Sequence, residues 1–294
     1  MKSREEYGPR TAPLVGLVIW IVALILLPAP LAARILLLAP LVIVPRLLFL
    51  LPVRRGVGRL AGWPTVIAAL PLVIGFGLSP GPLAALCVAP WLALALAAAM
   101  AGALHGLAHL PGILRPTRWA GLGVDVGLGF WAVGAVFMVI DRLGLETGFS
   151  SAIVLLTATH FHFAGLGLLG LASLLAQSRW WLRPAVAGLV IGIPLTALGF
   201  VLASDAVNAI GALFVGLSGL SVGIGLLRIV DARKATWALR LAGAALLVGM
   251  PLAIAWSLAI LSGKAFIDLD AMIRTHGALN AAAVVLGATA YRPE

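Results

Sequence analysis

The chain has few charged residues and almost no cysteine, and each shortage excludes a class of protein. Only 10% of its residues are Asp, Glu, Lys or Arg, whereas about a quarter are charged in a typical soluble domain. The single cysteine, Cys87, cannot form an internal disulfide. No polar stretch between the apolar runs is long enough for a separate soluble domain. We therefore expect one integral membrane domain over residues 1–294.

Long apolar runs dominate the rest of the sequence, which is 62% hydrophobic with a mean hydropathy of +1.14. Runs of about 20 residues cross a hydrocarbon core of about 30 Å as helices, and these runs lack the alternation of barrel strands. The sequence predicts an all-α polytopic transmembrane helical bundle of about ten spans. The predicted spans are Pro13 to Ala32, Ile35 to Leu51, Pro64 to Leu78, Pro82 to Leu110, Trp119 to Ile140, Phe149 to Ala176, Pro184 to Leu202, Asn208 to Val230, Leu239 to Leu261 and Ala271 to Ala290.

The loops between the spans alternate in charge. Basic residues fall in every second loop, and these are Arg54, Arg55, Arg59, Arg115, Arg118, Arg179, Arg183, Arg228, Arg233, Lys234 and Arg240. The opposite loops contain Asp141, Arg142, Glu146, Asp205, Lys264, Asp268 and Asp270. The positive-inside rule places the basic loops and both termini in the cytoplasm. The net charge of +10 follows from this topology, so no nucleic-acid partner is expected. Arg46, inside span two, is expected to extend its guanidinium to the interface.

Five histidines and a few other polar residues interrupt the apolar runs. An ionisable group in the membrane costs at least about 2.5 kcal/mol on insertion scales, which makes it a candidate functional residue. Counting about 1.5 Å per residue from the predicted outer boundary puts His162, His105 and Asp125 at about 20 Å, with His160 and Asn280 nearer the outer side. We predict that His105, Asp125 and His162 meet inside the bundle, with Asn280 nearby.

Helical phase separates these residues further. His105 and His109 are four residues apart and share one helix face, as do His276 and Asn280. His160 and His162 are two residues apart, about 200° around a regular helix, so they cannot both point at one centre.

Asp125 is the only acidic residue well inside a predicted span. A carboxylate there needs a partner. The sequence leaves two alternatives open: a pair with His105 at its own depth, or a pair with Arg115 or Arg118 at the end of its own helix.

Two segments resemble the hallmark segments of the YndJ-like integral membrane proteins: THFHFAGLG from Thr159 to Gly167, and THGALNA from Thr275 to Ala281. The span from Asp125 through Trp131 to Gly134 also fits the family pattern. The resemblance covers most of the chain from about Leu104 onward. It implies a bacterial polytopic protein of the cytoplasmic (inner) membrane, in a family sometimes described as transporter-like, and it implies no mechanism.

Three functional hypotheses follow, beside the alternative that the histidines are packing contacts of a binding or structural membrane protein. The first is an intramembrane acid/base enzyme for a lipid-soluble isoprenoid or fatty substrate, with His162, His160, Asp125 and His105 as catalytic residues and His276 and Asn280 as substrate-binding residues. The second is a small-molecule transporter. The third is a metal-binding or haem-binding protein, although HExxH and a cysteine pair are missing. The expected partners are membrane lipids and a lipophilic small molecule, and the sequence names no cofactor or resident metal.

Overall fold

The computed structural model describes residues 3–53, 55–109, 115–229 and 236–292, with side chains from Thr11 onward except that of Arg55. Within these residues the chain is entirely helical and contains no strand. The described residues form ten main helices, together with short 3-10 and α-helical segments. They are α1 Ser3–Leu26, α2 Leu31–Leu50, α3 Trp63–Gly77, α4 Ala89–Ala108, α5 Trp119–Leu143, α6 Ser151–Ser178, α7 Arg183–Val201, α8 Asp205–Leu227, α9 Thr236–Leu261 and α10 at 269–290.

Seven of these helical segments are long and apolar enough to cross a membrane, by length and composition. They are α2, α4, α5 with its preceding 3-10 turn, α6, α7 with its preceding 3-10 turn, α8 and α9. The apolar parts of α1 (Thr11–Leu26) and α3 (Trp63–Gly77) are shorter. The all-α membrane architecture predicted from the sequence is confirmed. The count of ten spans, the orientation of the termini and the single domain stay predictions.

The predicted span from Pro82 to Leu110 is interrupted in the structure. A short helix, Pro82–Leu86, ends in a turn at Cys87, and α4 begins at Ala89 with Pro90 in its first turn. Proline has no backbone N–H and its ring clashes with the carbonyl four residues earlier, so a helix restarts at proline more easily than it continues through it. Several predicted positions lie outside the described residues: the span ends Leu110 and Val230, and Arg54, Arg233 and Lys234.

The chain divides into two compact units. Unit 1 comprises Met1–Pro111 and Val124–Gly167, and unit 2 comprises Gly112–Gly123 and Leu168–Glu294. In unit 1, α2 is the most enclosed helix, because 89% of its apolar window is buried. Arg46 of α2 is only 5% exposed and lies 5.7 Å from the ring centroid of Phe49. The Arg46 side chain is therefore enclosed by its neighbours, and its position relative to the membrane interface stays a prediction.

Unit 2 packs α7, α8, α9 and α10 in chain order. The backbones of α8 and α9 approach closely where Gly223 faces Gly243: a Cβ added to Gly243 would lie 2.7 Å from the carbonyl oxygen of Gly223. Small residues at such crossings let membrane helices pack through their backbones, where lipid supplies no hydrophobic driving force. In unit 2, consecutive helices therefore pack against one another.

Candidate functional site

His105 of α4 and Asp125 of α5 form a direct pair in unit 1. The Nδ1 atom of His105 lies 2.8 Å from Oδ2 of Asp125. The His105 side chain is 37% exposed and that of Asp125 is 15% exposed. Of the two partners that the sequence left open for Asp125, the structure therefore shows the histidine. Close packing brings the helices together here, because a Cβ added to Gly102 would lie 2.9 Å from the backbone oxygen of Asp125.

The His105–Asp125 pair lines a half-open cavity of about 230 Å³ in unit 1. The other lining residues are Pro52, Val53, Val57, Ala101, Gly102 and Leu128. The pair thus contributes ionisable groups to a wall that is otherwise apolar. Drug-sized ligands occupy pockets of about 300–1,000 Å³, so this cavity fits a smaller molecule or one end of a longer one.

The tautomer of His105 follows from its partner. An ionised carboxylate only accepts hydrogen bonds, so Nδ1 of His105 carries the proton and donates it to Asp125. The Nε2 atom of His105 then has a lone pair, and no hydrogen bond to it is found within the described residues. His109 lies beside it, with ring centroids 4.4 Å apart, and Nδ1 of His109 donates to the backbone oxygen of His105. The His105 ring is therefore oriented by a carboxylate at one nitrogen and open at the other.

His162 of α6 has the opposite character, because its side chain is fully buried and both ring nitrogens are bonded. Its Nδ1 lies 2.8 Å from the carbonyl oxygen of Ala158, and the indole Nε1–H of Trp91 donates to its Nε2 over 3.1 Å. Indole nitrogen can only donate, so His162 is a neutral imidazole with its proton on Nδ1. The planes of the two rings are nearly parallel, at 18°, with their centroids 6.1 Å apart.

Two residues of α5 complete the surroundings of His162. Trp131 is fully buried with its ring centroid 5.1 Å from that of Trp91, and its Nε1 has no hydrogen-bond partner within the described residues. Gly134 faces the imidazole so closely that an added Cβ would lie 2.5 Å from Nδ1 of His162. His162 thus connects α4, through Trp91, with α5, through Gly134. These are the same two helices that carry His105 and Asp125.

His160 precedes this cluster by two residues and has a different environment. Its ring is half-buried and meets Phe161 edge-on, with centroids 6.4 Å apart at 86°. It ends the α-helical part of α6, and a π-helical segment, Phe161–Leu168, follows. His160 and His162 therefore have separate contacts, in agreement with their angular separation.

His276 and Asn280 form a second polar group, in unit 2. The Nδ1 of His276 carries the ring proton and donates it to the carbonyl oxygen of Gly249 in α9 over 2.9 Å. The other ring nitrogen, Nε2, is therefore an acceptor, and the side-chain amide of Asn280 donates to it over 3.1 Å. The Oδ1 of Asn280 is buried and has no hydrogen-bond partner within the described part of the chain. Because these residues belong to unit 2 and His162 to unit 1, the predicted closeness of Asn280 and His162 stays a prediction.

Metal binding would need several convergent ligands. Among the described residues, no group of three or more His, Cys, Asp or Glu side chains is arranged to hold a metal ion. The paired histidines His105 and His109 have the i,i+4 spacing of helical metal ligands. However, Nδ1 of each is already bonded to an oxygen of the protein. Only Nε2 of each ring therefore remains for a further bond.

Comparison with known families agrees with the two segments described above. The sequence model of YndJ-like proteins matches residues 34–284, which is most of the chain. The chain belongs to the YndJ-like family. No curated protein and no solved structure matches it. Both family segments of this YndJ-like chain include π-helical turns, Phe161–Leu168 and Ile273–Gly277, and such turns occur frequently at functional sites.

Sequence reasoning missed the partners of His162 in this YndJ-like chain. Trp91 and Trp131 lie inside predicted spans, whereas Trp180 lies between two predicted spans. A tryptophan inside a span was the available signal, because its buried indole N–H usually finds an acceptor. Gly134 gave no signal, since glycine is common in membrane helices.

Proposed function

We propose that the chain is a ten-span protein of the bacterial cytoplasmic membrane, with both termini in the cytoplasm. We further propose that it performs acid/base chemistry on a lipid-soluble small molecule. The observation that carries the proposal is the His105–Asp125 pair, which joins an ionisable dyad to an apolar cavity of about 230 Å³. A few polar groups in an otherwise apolar pocket are typical of sites for small molecules.

The proton-transfer group of this proposal is Nε2 of His105. Asp125 holds the imidazole in the tautomer with the proton on Nδ1 and stabilises the imidazolium that forms when Nε2 accepts a proton. The same Nε2–H can then return the proton to another atom of the bound molecule. A positioned acid/base group of this kind contributes about 10²–10⁴-fold to a rate.

His162 has a supporting role in the proposal. Its two ring nitrogens are occupied by Ala158 and Trp91, so a proton can be gained only after one of these bonds breaks. It positions α4 and α5, which carry the reacting pair. His160 stays a predicted catalytic residue for which no step is proposed; its described contact is with Phe161.

The substrate follows from the size and polarity of the cavity. A volume of about 230 Å³ encloses only the reactive end of an isoprenoid or fatty compound, and the rest of such a chain would lie in the membrane. The apolar lining excludes a highly charged substrate, because burying an unpaired charge there is costly.

A transporter is the alternative function, favoured by a specific observation in unit 2. His276 lies in a π-helical turn and bonds to Gly249 of α9, two residues before Pro251 inside that helix. Interrupted helices with polar groups at mid-depth are typical of transporter binding sites. In that function His276 and Asn280 would bind the transported molecule, and the buried Oδ1 of Asn280 would accept a hydrogen bond from it.

The acid/base proposal is tested without knowing the substrate. Purified protein in lipid nanodiscs is incubated in D2O with a lipid extract of its host, and mass spectrometry records molecules that gain deuterium or change mass. We expect wild-type protein to modify at least one species, and Asp125→Asn and His105→Gln to slow this by about 10²-fold or more.

Two further variants separate chemistry from folding. Ala101→Leu fills the cavity while keeping the His105–Asp125 pair, and it should abolish the modification. Ala103→Leu, on the exposed side of the same helix, should leave it unchanged. Equal modification by wild type and Asp125→Asn would contradict the proposal. Uptake into proteoliposomes that requires His276 but not Asp125 would support the transporter instead.

The proposed topology has its own test. In a Cys87→Ala background, single cysteines replace Arg115 or Arg179 on the cytoplasmic side and Glu146 or Asp205 on the outer side. An impermeant thiol reagent added to intact cells should label only the outer positions. Labelling at position 179 and not at position 205 would reverse the assignment.

A further inference from the structure

The two ends of unit 2 differ in charge. The end formed by the last turns of α6 and α8 and the first turns of α7 and α9 carries Arg179, Arg183, Arg228 and Arg240, and no acidic residue is found there within the described residues. The opposite end carries Asp205, Lys264, Asp268, Asp270 and Arg274. The arginine-rich end is the one predicted to face the cytoplasm.

Side chains at the arginine-rich end are already organised. The 3-10 turn Trp180–Leu182 packs against α8, since a Cβ added to Gly225 would lie 2.8 Å from Leu182. This packing places the guanidinium of Arg228 5.4 Å from the ring centroid of Trp181. Arginine stacked on an aromatic face keeps its N–H groups directed outward in the ring plane, ready for an anion.

Arg183 provides a second, independent observation at the same turn. Its Nε is buried, and it has no hydrogen-bond partner within the described residues. Buried donors are nearly always bonded, so this N–H indicates a missing acceptor. The positive-inside rule accounts for basic residues in this loop, but it does not account for a buried guanidinium nitrogen without a partner.

We propose that Arg183, Arg228 and the Trp180–Trp181 turn bind the phosphate of an anionic phospholipid headgroup. Guanidinium groups bind phosphate oxygens through paired, charge-assisted hydrogen bonds. Trp180 is 73% exposed beside them, and an exposed tryptophan at a helix end lies at headgroup depth. Basic pockets at the cytoplasmic ends of membrane helices are suited to anionic lipids. The site lies in unit 2 and does not depend on the proposed acid/base function.

The test compares lipid retention by variants of the full chain. Protein is reconstituted in nanodiscs containing phosphatidylglycerol and phosphatidylcholine, released into detergent and analysed by native mass spectrometry. We expect wild-type protein to retain phosphatidylglycerol in preference to phosphatidylcholine. Arg183→Gln and Arg228→Gln should each lower the apparent affinity for phosphatidylglycerol by about tenfold or more. Arg274→Gln, at the opposite end of unit 2, is the matched control and should retain the lipid.

Two further arms keep the result interpretable. Arg183→Lys keeps the charge but loses the planar fork, so it should fold normally and still bind phosphatidylglycerol more weakly than wild type. Inorganic phosphate at millimolar concentration should not displace the lipid, because it lacks the acyl chains. Equal retention of both lipids by wild type, or full retention by Arg183→Gln, would overturn the proposal. Displacement by inorganic phosphate would also overturn it, in favour of a site for free phosphate.

Discussion

Replacing Gly134 with alanine tests the packing around His162 directly. The new Cβ would lie 2.5 Å from Nδ1 and 2.8 Å from Cε1 of His162, whereas ordinary contacts begin at 3.4 Å. The imidazole would have to move by nearly an ångström. It cannot do so freely, because Ala158 and Trp91 hold its two nitrogens.

The expected loss of stability combines two effects. Forcing an extra methyl group into a packed core costs about 1–3 kcal/mol, and weakening one hydrogen bond between membrane helices costs about 0.6–1.7 kcal/mol. The clash is relieved either by a shift of the helices or by a rotation of the imidazole that weakens a hydrogen bond, so the two costs do not add in full. We therefore expect Gly134→Ala to lower the free energy of unfolding by about 2 kcal/mol. This corresponds to a change of about 30-fold in the unfolding equilibrium constant.

The assay is reversible unfolding in mixed micelles with increasing SDS, followed by tryptophan fluorescence. Gly129→Ala is the matched control on the same helix, because a Cβ there would have no neighbour within 4 Å. Alanine has a higher helix propensity than glycine, so Gly129→Ala should be neutral or slightly stabilising. In a His162→Ala background, Gly134→Ala should become nearly neutral, which gives a coupling energy of at least about 1 kcal/mol. If Gly134→Ala proves as harmless as Gly129→Ala, the described contact with His162 is refuted.

Two further predictions concern hydrogen bonds and charge. Trp91→Phe removes the indole donor and leaves a buried imidazole nitrogen unpaired, so it should destabilise the protein by about 1–2 kcal/mol in the same assay. Trp237→Phe, at a tryptophan that is 66% exposed in wild type, should have no effect. Arg142→Gln removes the partner of Asp141, whose side chain is 5% exposed and forms a 2.7 Å ion pair with Arg142. This variant should lower the free energy of unfolding by about 3 kcal/mol. Arg274→Gln breaks an ion pair whose side chains are over 60% exposed, and a similar loss of stability there would contradict the role of burial.

Depth along a helix could be predicted from the sequence, because each residue adds about 1.5 Å of rise. For this reason the helical segments agree with the predicted spans to within a few residues over most of the chain. For the same reason the sequence places His105 and Asp125 in one layer, where the structure pairs them. The break at Cys87 could also have been anticipated, because Pro90 follows it. Local covalent geometry is sufficient for features of this kind.

Direction around a helix could not be predicted in the same way. Whether His162 faces His105 or Trp91 depends on which neighbouring helices approach and on where a π-helical turn shifts the phase, as it does from Phe161 onward. Gly134 is important because it has no side chain where His162 packs against it. This role cannot be recognised in the sequence until the neighbouring residue is known. Pairing within a layer is therefore a property of the packed helices.

Arg142 has a consequence for the end of α3, which is an apolar helix shorter than the candidate membrane spans. With 15 residues, α3 is about 22 Å long, several ångströms less than the hydrocarbon core of about 30 Å. The last carbonyl groups of an α-helix have no partner from a following turn and need donors from elsewhere. Arg142 supplies one, with Nη1 at 3.5 Å from the oxygen of Gly75 and 3.4 Å from that of Leu78, while Asp141 neutralises its charge. A side chain of a neighbouring helix thus bonds the backbone at the end of a short apolar helix, which reduces the need for water at that end.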